Sequence, residues 1–451
     1  MASEWIDATV SEIAAPVRNA LVGGPFGSNL VSADYVGIGV PVIRGQNMGS
    51  RWVSGDFAYV SDDKADSLSG NLARPGDIVF TQRGTLGQVS IVPEGPFDRY
   101  LVSQSQMKLT VNTEVADPIF CYYQFRSEVQ QDYIRLNAIQ TGVPHTNLGI
   151  LRNTPLLLPP LSEQRAIAHI LGTLDDKIEL NRRRNQTLEA MARALFQDWF
   201  VDFGPVRAKM ECQEPYLPAD LWQLFPDRLD DEGKPEGWEM GTLADFADLN
   251  PESWSKKNAP QEIEYVDLAN TKLGTIESAA RLSWSEAPSR AQRILRTGDT
   301  IVGTVRPGNG SYSLIAEDGL TGSTGFAVLR PKQSAYRELV FLAATSSESI
   351  ERLSHLADGA AYPAVRPDVV SALPVAKPDR NSLDDLMKAF SKAAGKWIDS
   401  MEHNKMESKG LAQLRDTLLP KLISGELRIK DAEKFMERAK SESASKAGSV
   451  S

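Results

Sequence analysis

Two stretches of the chain place apolar residues at alternating spacings of three and four positions. The first follows Pro159-Pro160 and carries apolar or asparagine residues at Leu171, Leu174, Ile178, Asn181, Asn185, Leu188, Ala192, Leu195 and Trp199. The second has the same spacing, with Trp397, Met401, Asn404, Ser408, Leu411, Arg415, Leu418 and Leu422. This spacing is typical of a helix whose single apolar seam faces a partner helix. The pattern predicts two helices of about 40 residues, each about 60 Å long at 1.5 Å per residue.

Residues that begin or stop helices lie at the ends of both stretches. Ser162 is a candidate cap for the first helix, and Gly204-Pro205 is a strong stop signal after it. Asn381-Ser382 opens the second helix and Gly425 closes it.

The seams of the two helices require a partner, because neither stripe is stable when it faces water. We predict one antiparallel coiled coil made from the two helices. Asn181, Asn185 and Asn404 on the seam would set its register at some cost in stability. The alternative is that each helix folds back onto its own globular domain.

The rest of the chain is dominated by short apolar runs between Gly and Pro clusters. The runs at 40–43, 77–80 and 89–92 are typical of strands, and a helical stretch covers 118–137. This mixture predicts an α+β fold.

The second half of the chain repeats the first at a nearly constant distance of about 223 positions. Arg44-Gly45-Gln46-Asn47 aligns with Asp267-Leu268-Ala269-Asn270, and 75–79 aligns with 297–301. Arg83 aligns with Arg306. The order of these matches predicts a tandem duplication.

The predicted architecture is two tandem globular α+β domains separated by a long antiparallel two-helix coiled coil, with a pseudo-twofold internal repeat. Its segments are a first globular domain at 1–160, a long helix at 161–204, an acidic Pro-rich linker at 205–236, a second globular domain at 237–380, a second long helix at 381–425, and a partly disordered tail at 426–451.

Composition excludes several classes of protein. Lys plus Arg is 49 and Asp plus Glu is 59, a formal net charge of −10, so the chain is not a polycationic nucleic-acid binder. Two cysteines exclude a disulfide scaffold and an all-cysteine zinc site. The first residues lack a signal-peptide pattern, and no apolar run approaches the roughly 18 residues of a membrane span. We therefore expect a cytoplasmic protein with no membrane partner.

Known catalytic motifs are missing from the sequence. No Gly-Lys pair completes a phosphate-binding loop, and no glycine pattern completes a dinucleotide fingerprint. The four histidines are scattered without ligand spacing. Asp227, Glu232 and Lys234 resemble a nuclease string but lie in the predicted linker, where a solvated acidic segment is the simpler interpretation. We predict no catalytic residue and no metal site.

Polar side chains near glycines are the remaining candidates for function, and they recur in both copies. Arg, Gln and Asn can read base edges, and hydroxyl groups suit phosphates. The candidate DNA-binding residues of the first copy are Arg44, Gln46, Asn47, Arg83, Thr85, Ser103, Gln104, His145 and Asn147. Those of the second are Asn270, Lys272, Arg306, Asn309, Tyr312, Tyr362 and Arg366. Charge argues against this interpretation, because residues 1–160 hold 11 bases and 15 acids.

Several motifs resemble one known family, the specificity (S) subunits of type I restriction-modification systems. The helix motifs that carry the resemblance are Pro159-Pro160-Leu161-Ser162-Glu163-Gln164, Leu174-Asp175-Asp176-Lys177-Ile178, Leu195-Phe196-Gln197-Asp198-Trp199-Phe200 and Leu418-Leu419-Pro420-Lys421-Leu422-Ile423-Ser424-Gly425. Phe26-Gly27-Ser28 and Gly142-Val143-Pro144 are similar to stretches of the family's target recognition domains. The second copy departs from the pattern, since only Ala376-Lys377-Pro378 stands before its helix.

The resemblance implies a non-catalytic DNA reader. Each globular domain would be a target recognition domain for one half of a bipartite, asymmetric site, and the helix pair would set the spacer. Two methyltransferase (M) subunits would dock on the helices and supply S-adenosylmethionine and N6-adenine methylation, with the base flipped out. Restriction (R) subunits would add ATP- and Mg-dependent translocation and cleavage, while this chain itself binds no cofactor.

Two other functions remain open from the residues alone. A coiled-coil scaffold with twin protein-binding domains would show no salt-dependent DNA affinity, even with partners present. A linker nuclease built on Asp227, Glu232 and Lys234 would cut DNA with Mg²⁺ as an isolated chain.

Overall fold

The computed structural model describes residues 5–140, 144–359, 362–429 and 431. The chain divides into two compact units, one formed by 1–180 with 407–451 and the other by 181–406. Gly142 and Val143 of the target-recognition resemblance, and most of the predicted tail at 426–451, lie outside the described residues.

The first unit contains eleven strands among its described residues, followed by the start of a long helix. Its strands are β1 (Ile6–Thr9), β2 (Leu21–Gly23), β3 (Tyr35–Val36), β4 (Val40–Ile43), β5 (Ala58–Val60), β6 (Leu72–Ala73), β7 (Ile78–Thr81), β8 (Val89–Ile91), β9 (Tyr100–Val102), β10 (Gln106–Leu109) and β11 (Pro155–Leu158). Its helices are α1 (Val10–Ile13), α2 (Asp62–Ser67), α3 (Pro118–Arg126), α4 (Glu128–Asn137), α5 (Leu148–Arg152) and, up to Leu180, α6 (Leu161–Phe200).

Three sheets build the globular part of the first unit. Their strand orders are β1-β11, β2-β10-β7-β8 and β3-β5-β4-β9-β6. Most pairs are antiparallel, but β4 and β9 run parallel. The predicted helical stretch at 118–137 is broken at Ser127, whose φ of −63° and ψ of 150° are extended.

The second unit begins within α6 and ends within the last long helix. Its strands are β12 (Glu239–Thr242), β13 (Ala247–Leu249), β14 (Glu262–Val266), β15 (Thr271–Lys272), β16 (Thr275–Ile276), β17 (Ala280–Ser283), β18 (Ala291–Ile294), β19 (Thr300–Gly303), β20 (Tyr312–Leu314), β21 (Leu320–Ser323), β22 (Phe326–Pro331) and β23 (Pro374–Lys377). Its helices are α7 (Gly204–Met210), α8 (Ala219–Trp222), α9 (Leu243–Phe246), α10 (Arg337–Ala344), α11 (Ser347–Leu356), α12 (Pro367–Ser371) and, up to Met406, α13 (Arg380–Ile423).

Three sheets of the second unit repeat those of the first, while the β15-β16 hairpin and the edge strand β3 each occur in one unit only. β12-β23 corresponds to β1-β11, β13-β22-β19-β20 to β2-β10-β7-β8, and β17-β14-β21-β18 to β5-β4-β9-β6. The parallel pair recurs too, as β14 with β21. The same strand order and the same strand directions confirm the predicted internal repeat.

A buried ion pair is repeated with the sheets. Asp77 accepts from Lys108 Nζ at 2.9 Å, and the side chains are only 4% and 9% exposed. In the second unit Asp299 accepts from Arg330 Nε at 2.8 Å and Nη2 at 2.9 Å. Each carboxylate also accepts a backbone N–H three residues earlier, from Arg74 or Arg296. The aligned aspartates therefore hold the same turn in both copies.

The two long helices pack together inside each unit with opposite directions. In the first unit Lys177 pairs with Glu407 at 3.1 Å and Asp175 with Arg415 at 2.6 Å. Leu171, Leu174, Leu418 and Leu422 are buried in one core there. This arrangement confirms helix pairing and excludes the alternative in which each helix folds alone onto its own domain.

Asparagines join the helices in the second unit. Asn185 Nδ2 donates to the carbonyl of Met401 at 3.1 Å, and Asn404 Nδ2 donates to Asn185 Oδ1 at 2.8 Å. Asn181 is fully buried and donates to the carbonyl of Asn404 at 3.4 Å. These bonds need one particular alignment of the helices, as the seam pattern predicted.

The motifs of α6 that resemble specificity subunits connect this helix to the first globular domain. Gln164 is 1% exposed, accepts from the backbone N–H of Asp117 at 2.9 Å and donates to the carbonyls of Val115 and Pro159. Asp175 accepts from the Tyr123 hydroxyl at 2.5 Å, and Asp176 accepts from the buried Arg51 guanidinium. Burial and the nearby Asp175 raise the pKa of Tyr123, so its hydroxyl stays a donor.

Two local predictions were wrong. Helix α6 begins at Leu161, and the carbonyl of Pro160 accepts from Glu163 N–H, so Ser162 is not its cap. The segment 205–236 is not a solvated linker, because it forms α7 and α8 and buries Val206 and Phe225 in the core of the second unit. Phe225 packs edge-on against Trp199 at 5.2 Å between ring centres. Prolines suggested a linker, but Pro205 occupies the first turn of α7, where a missing N–H costs nothing.

Candidate nucleic-acid interface

Three loops of the first unit meet at one surface. The backbone N–H groups of Gln82 and Arg83 donate to the carbonyl of Ser105 at 2.7 and 3.3 Å. Thr146 N–H donates to the carbonyl of Gln82 at 2.9 Å, and Arg83 forms a β-bridge with His145. The structure therefore brings together three of the candidate segments that are distant in sequence.

A fourth segment, the turn after β4, meets the same surface through a small cavity. Arg44, Ser103 and Gln104 line this cavity of about 250 Å³. The loop with Phe26-Gly27-Ser28 lies beside it, since Gly24 N–H donates to the carbonyl of Gln106 at 2.8 Å. A Cβ at Gly24 would lie 1.9 Å from the Ser103 carbonyl oxygen, so only glycine fits this contact.

The candidate residues of the first unit differ in what they offer to a ligand. Gln46, Arg83, Thr85 and Gln104 are exposed, while Arg44, His145 and Asn147 are half-buried. Asn147 caps α5 by accepting from Ile150 N–H at 3.0 Å.

Two of the first-unit candidates are structural. Asn47 is 1% exposed, and its amide bonds to Arg44 N–H and to the carbonyls of Ser54 and Asp56. Ser103 is 8% exposed and donates to Gln106 Oε1. Their burial corrects the expectation that these two side chains are displayed for DNA, because their polar atoms already support the turns.

A corresponding surface in the second unit is organised around Arg306. Its guanidinium lies over the Tyr362 ring at 4.9 Å, and its backbone N–H donates to the carbonyl of Pro363 at 2.7 Å. The β15–β16 hairpin, which carries Lys272, is joined to the 307–310 turn because Leu273 N–H donates to the carbonyl of Gly310. Exposed Lys272, Arg306, Asn309 and Tyr362 thus belong to one set of contacting loops.

The other second-unit candidates are less available. Tyr312 is 7% exposed, and burial raises the pKa of its hydroxyl. Arg366 pairs with Asp368 at 2.8 Å, although both side chains are exposed. Asn270 is half-buried in a turn, where its N–H donates to Asp267 Oδ1 at 3.1 Å. Tyr312 is therefore buried and not displayed on the surface.

The sequence alignment of the two copies, which paired Arg83 with Arg306, was wrong by one residue. The bridge between Arg83 and His145 corresponds to a bridge between Val305 and Ala364. Gly84, with φ of +97°, therefore corresponds to Arg306, with φ of +49°. A left-handed backbone at a non-glycine residue is strained, and such strain is often found at functional sites.

Two exposed aromatic side chains near the first surface were not among the candidates. Phe26 is 84% exposed and Tyr35 is 37% exposed, and Tyr35 lines the same cavity as Arg44. The sequence candidates of the first copy were all polar, although the resemblance of Phe26-Gly27-Ser28 to target recognition domains already pointed to the loop that carries Phe26.

The nuclease-like string does not form a free carboxylate cluster. Asp227 pairs with Lys209 at 3.0 Å, and Lys234 pairs with Asp230 and Glu232. Within the described ranges, no group of three or more His, Cys, Asp or Glu residues is placed to hold a metal ion. Across the same residues, no helix combines the length and hydropathy needed to cross a membrane.

Comparison with known proteins bears on this pair of surfaces. A family model described as a type I restriction modification DNA specificity domain matches residues 33–190. Over 406 residues the chain is 25% identical to the type I restriction enzyme HindI specificity subunit of Haemophilus influenzae, covering 78% of this chain and 87% of that one. The chain is therefore similar in sequence to type I restriction specificity subunits.

Further matches agree with this relationship. The MjaIX specificity subunit of Methanocaldococcus jannaschii is 26% identical over 252 residues, which cover 55% of this chain and 53% of that protein. The crystal structure of a type I S subunit from M. genitalium shares the fold, with a TM-score of 0.56 and 16% identity over 93% of this chain and 96% of that one. The matched specificity domain includes the first-unit loops at Arg44, Arg83, Gln104 and His145.

Proposed function

We propose that this chain is the DNA sequence-recognition subunit of a type I restriction-modification complex. The observation that carries the proposal is one sheet topology used twice, with different polar side chains on the corresponding loops. The first unit carries Arg83, whose backbone bridges to His145, whereas the second unit carries Arg306 one position further along the corresponding loop, with its guanidinium over the Tyr362 ring. Two domains with different surfaces suit a site whose halves have different sequences.

The paired helices α6 and α13 would act as the spacer-setting element. A helix has a fixed rise of about 1.5 Å per residue, whereas a loop has no fixed length. The buried asparagine contacts support this role, since they favour one alignment of the helices. The specified half-sites would therefore be separated by a constant number of unspecified base pairs.

The chain would be non-catalytic and would depend on partner subunits. Two methyltransferase subunits would dock on the helices and supply S-adenosylmethionine for N6-adenine methylation. Restriction subunits would supply the ATP- and Mg²⁺-dependent translocation and cleavage. Because the chain carries a net charge of −10, we infer that these partners provide much of the phosphate contact.

The first experiment is to map methylated adenines in a genome where this chain is co-expressed with its cognate methyltransferase subunit. A bipartite motif is expected, and replacing residues 1–160 by those of another specificity subunit should change one half only. A well-formed complex without methylation would contradict the proposal. It would favour a scaffold whose twin domains bind proteins.

Point variants test whether the two surfaces read separate halves. Arg83→Ala should weaken recognition of the first half-site and Arg306→Ala that of the second, each by about 1–3 kcal/mol if the side chain contacts a base. Arg152→Ala, at an exposed α5 position, is the control. Equal losses on both halves for either variant would refute the two-reader model.

A further inference from the structure

Arg44 lines the first-unit cavity and is half-buried. Its Nε atom is buried and has no hydrogen-bond acceptor among the described residues. An arginine stays charged and has five N–H donors. A buried N–H donor without an acceptor costs free energy, because it has lost its hydrogen bond to water. Because Arg44 as a whole is only half-buried and lines the cavity, its guanidinium can donate to a ligand that enters there.

The cavity around Arg44 has the chemistry of a nucleobase edge site. Its lining residues are Leu30, Tyr35, Arg44, Gly45, Ser103, Gln104, Ser105 and Gln106. Arg44 is the single charged residue in this set, and its neighbours are amides, hydroxyls, a buried leucine and a half-exposed aromatic ring. A mostly neutral recess of about 250 Å³ with a single cation suits the edge of a base more than a phosphate, which favours several cations.

The backbone positions Arg44 firmly for this role. It follows β4, whose parallel partner β9 leads directly into the Ser103–Gln106 turn. Ser103 N–H donates to the carbonyl of Ile43 at 3.1 Å, and Arg44 N–H donates to Asn47 Oδ1 at 3.1 Å. The buried Asn47 and Ser103 thus act as positioning residues, which explains their place among the loops of this surface.

The second unit has the opposite charge at the corresponding position. Asp267 follows β14 as Arg44 follows β4, and it pairs with Arg290 at 3.8 Å. An arginine offers donors to a base edge, whereas an aspartate offers acceptors. The two surfaces therefore present different groups at this position, and the Asp267 carboxylate already accepts from the Asn270 N–H.

We propose that Arg44 reads a guanine in the first half-site, through the O6 and N7 acceptors of its major-groove edge. Among the four bases only guanine presents two acceptors there, and a bidentate arginine contact is the commonest way to read it. This inference rests on the proposed DNA-recognition function and names one of its specificity-determining residues.

The experiment uses the assembled complex with its methyltransferase subunits and the bipartite site found by methylation mapping. Each guanine of the first half-site is replaced in turn by 7-deazaguanine, which lacks the N7 acceptor. One replacement should weaken competitive binding by about 5- to 150-fold in the wild-type complex. In Arg44→Ala the same replacement should have no further effect, and Arg44→Lys should recover binding only in part.

Matched variants separate a failure of this inference from a failure of the proposed function. Arg306→Ala should keep the full sensitivity to 7-deazaguanine in the first half-site. Selective binding of the second half-site by Arg44→Ala shows that the variant is folded. A first half-site without guanine, or a uniform loss over all sequences with a smaller salt dependence, would overturn the inference, the latter by assigning Arg44 to a phosphate. If the wild-type complex selects no bipartite site, the proposed function itself fails.

Discussion

Replacing Asp77 by alanine should destabilise the first unit by about 3–5 kcal/mol, the usual cost of removing one partner from a buried ion pair. The carboxylate accepts from Lys108 Nζ and from Arg74 N–H, both at 2.9 Å. Its loss leaves the ammonium group of Lys108, which is 9% exposed, with Thr110 Oγ1 at 3.0 Å as its remaining bond. The charge-assisted bond accounts for about 1.5–3 kcal/mol and the backbone bond for about 1 kcal/mol.

A second variant separates the contribution of the charge to this free energy from that of the hydrogen bonds. Asp77→Asn keeps an acceptor for each donor and loses only the charge, so we expect a smaller loss of about 1–2 kcal/mol. Asp62→Ala is the matched control in the same unit, because Asp62 pairs with Arg99 but is 73% exposed. An exposed pair of this kind contributes about 0–1 kcal/mol.

Hydrogen–deuterium exchange of peptides from β7 and β10 measures the effect locally. Asp77 directly precedes β7, Lys108 lies on β10, and the two strands pair with each other. Asp77→Ala should accelerate their exchange by a factor that corresponds to the predicted free energy, and Asp62→Ala should leave it nearly unchanged. Equal exchange rates in Asp77→Ala and Asp62→Ala would refute the argument that burial makes the Asp77–Lys108 pair more stabilising than an exposed pair. The repeated pair offers a second test, since Asp299→Ala should accelerate exchange in β19 and β22, but by less, because Arg330 keeps its pair with Glu252 at 2.7 Å.

Three further predictions address the helices and one cap. Asn185→Leu should keep or raise thermal stability but loosen helix register, seen as mixed assembly states by light scattering; a single unchanged species with lower stability would contradict this. Deleting four residues from each long helix removes about 6 Å and should shorten the methylated spacer by about one or two base pairs, and an unchanged spacer would exclude the ruler role. The Thr242 N–H and Lys377 lower the pKa of Asp245, so its stabilisation of α9 is present at neutral pH and is lost as pH falls through its lowered pKa. The stability difference between wild type and Asp245→Ala should therefore shrink below about pH 4 in denaturant unfolding, and a constant difference would refute the assignment.

Much of the architecture could be predicted because it depends on periodic local patterns. The spacing of three and four positions shows which side of a helix is apolar, whatever that side contacts in the folded protein. Asn181, Asn185 and Asn404 are polar exceptions on that apolar side. The duplication was visible for a similar reason, since turns such as the one at Asp77 and Asp299 need the same residue types in both copies.

The two candidate surfaces could be identified only from the tertiary structure. Sequence singled out Arg44, Asn47, Ser103 and Arg83 as equivalent polar loop residues, but burial separated them. The polar groups of Asn47 and Ser103 are hydrogen-bonded within neighbouring turns. Arg44 instead lines a cavity next to β4 and β9, two strands that are nearly 60 residues apart in the chain. The segment 205–236 likewise became part of a core through Phe225 and Trp199.

The sequence by itself was enough to predict the long helices and the repeat, and to show that recognisable catalytic motifs are missing. Each of these properties depends only on the spacing and type of residues that are close together in the chain. The tertiary structure alone decided which loops meet, which polar groups are already bonded and which buried donor has no acceptor among the described residues. Those properties arise from contacts between residues distant in sequence, and a hydrogen-bonding group has no fixed role until its neighbours are in place.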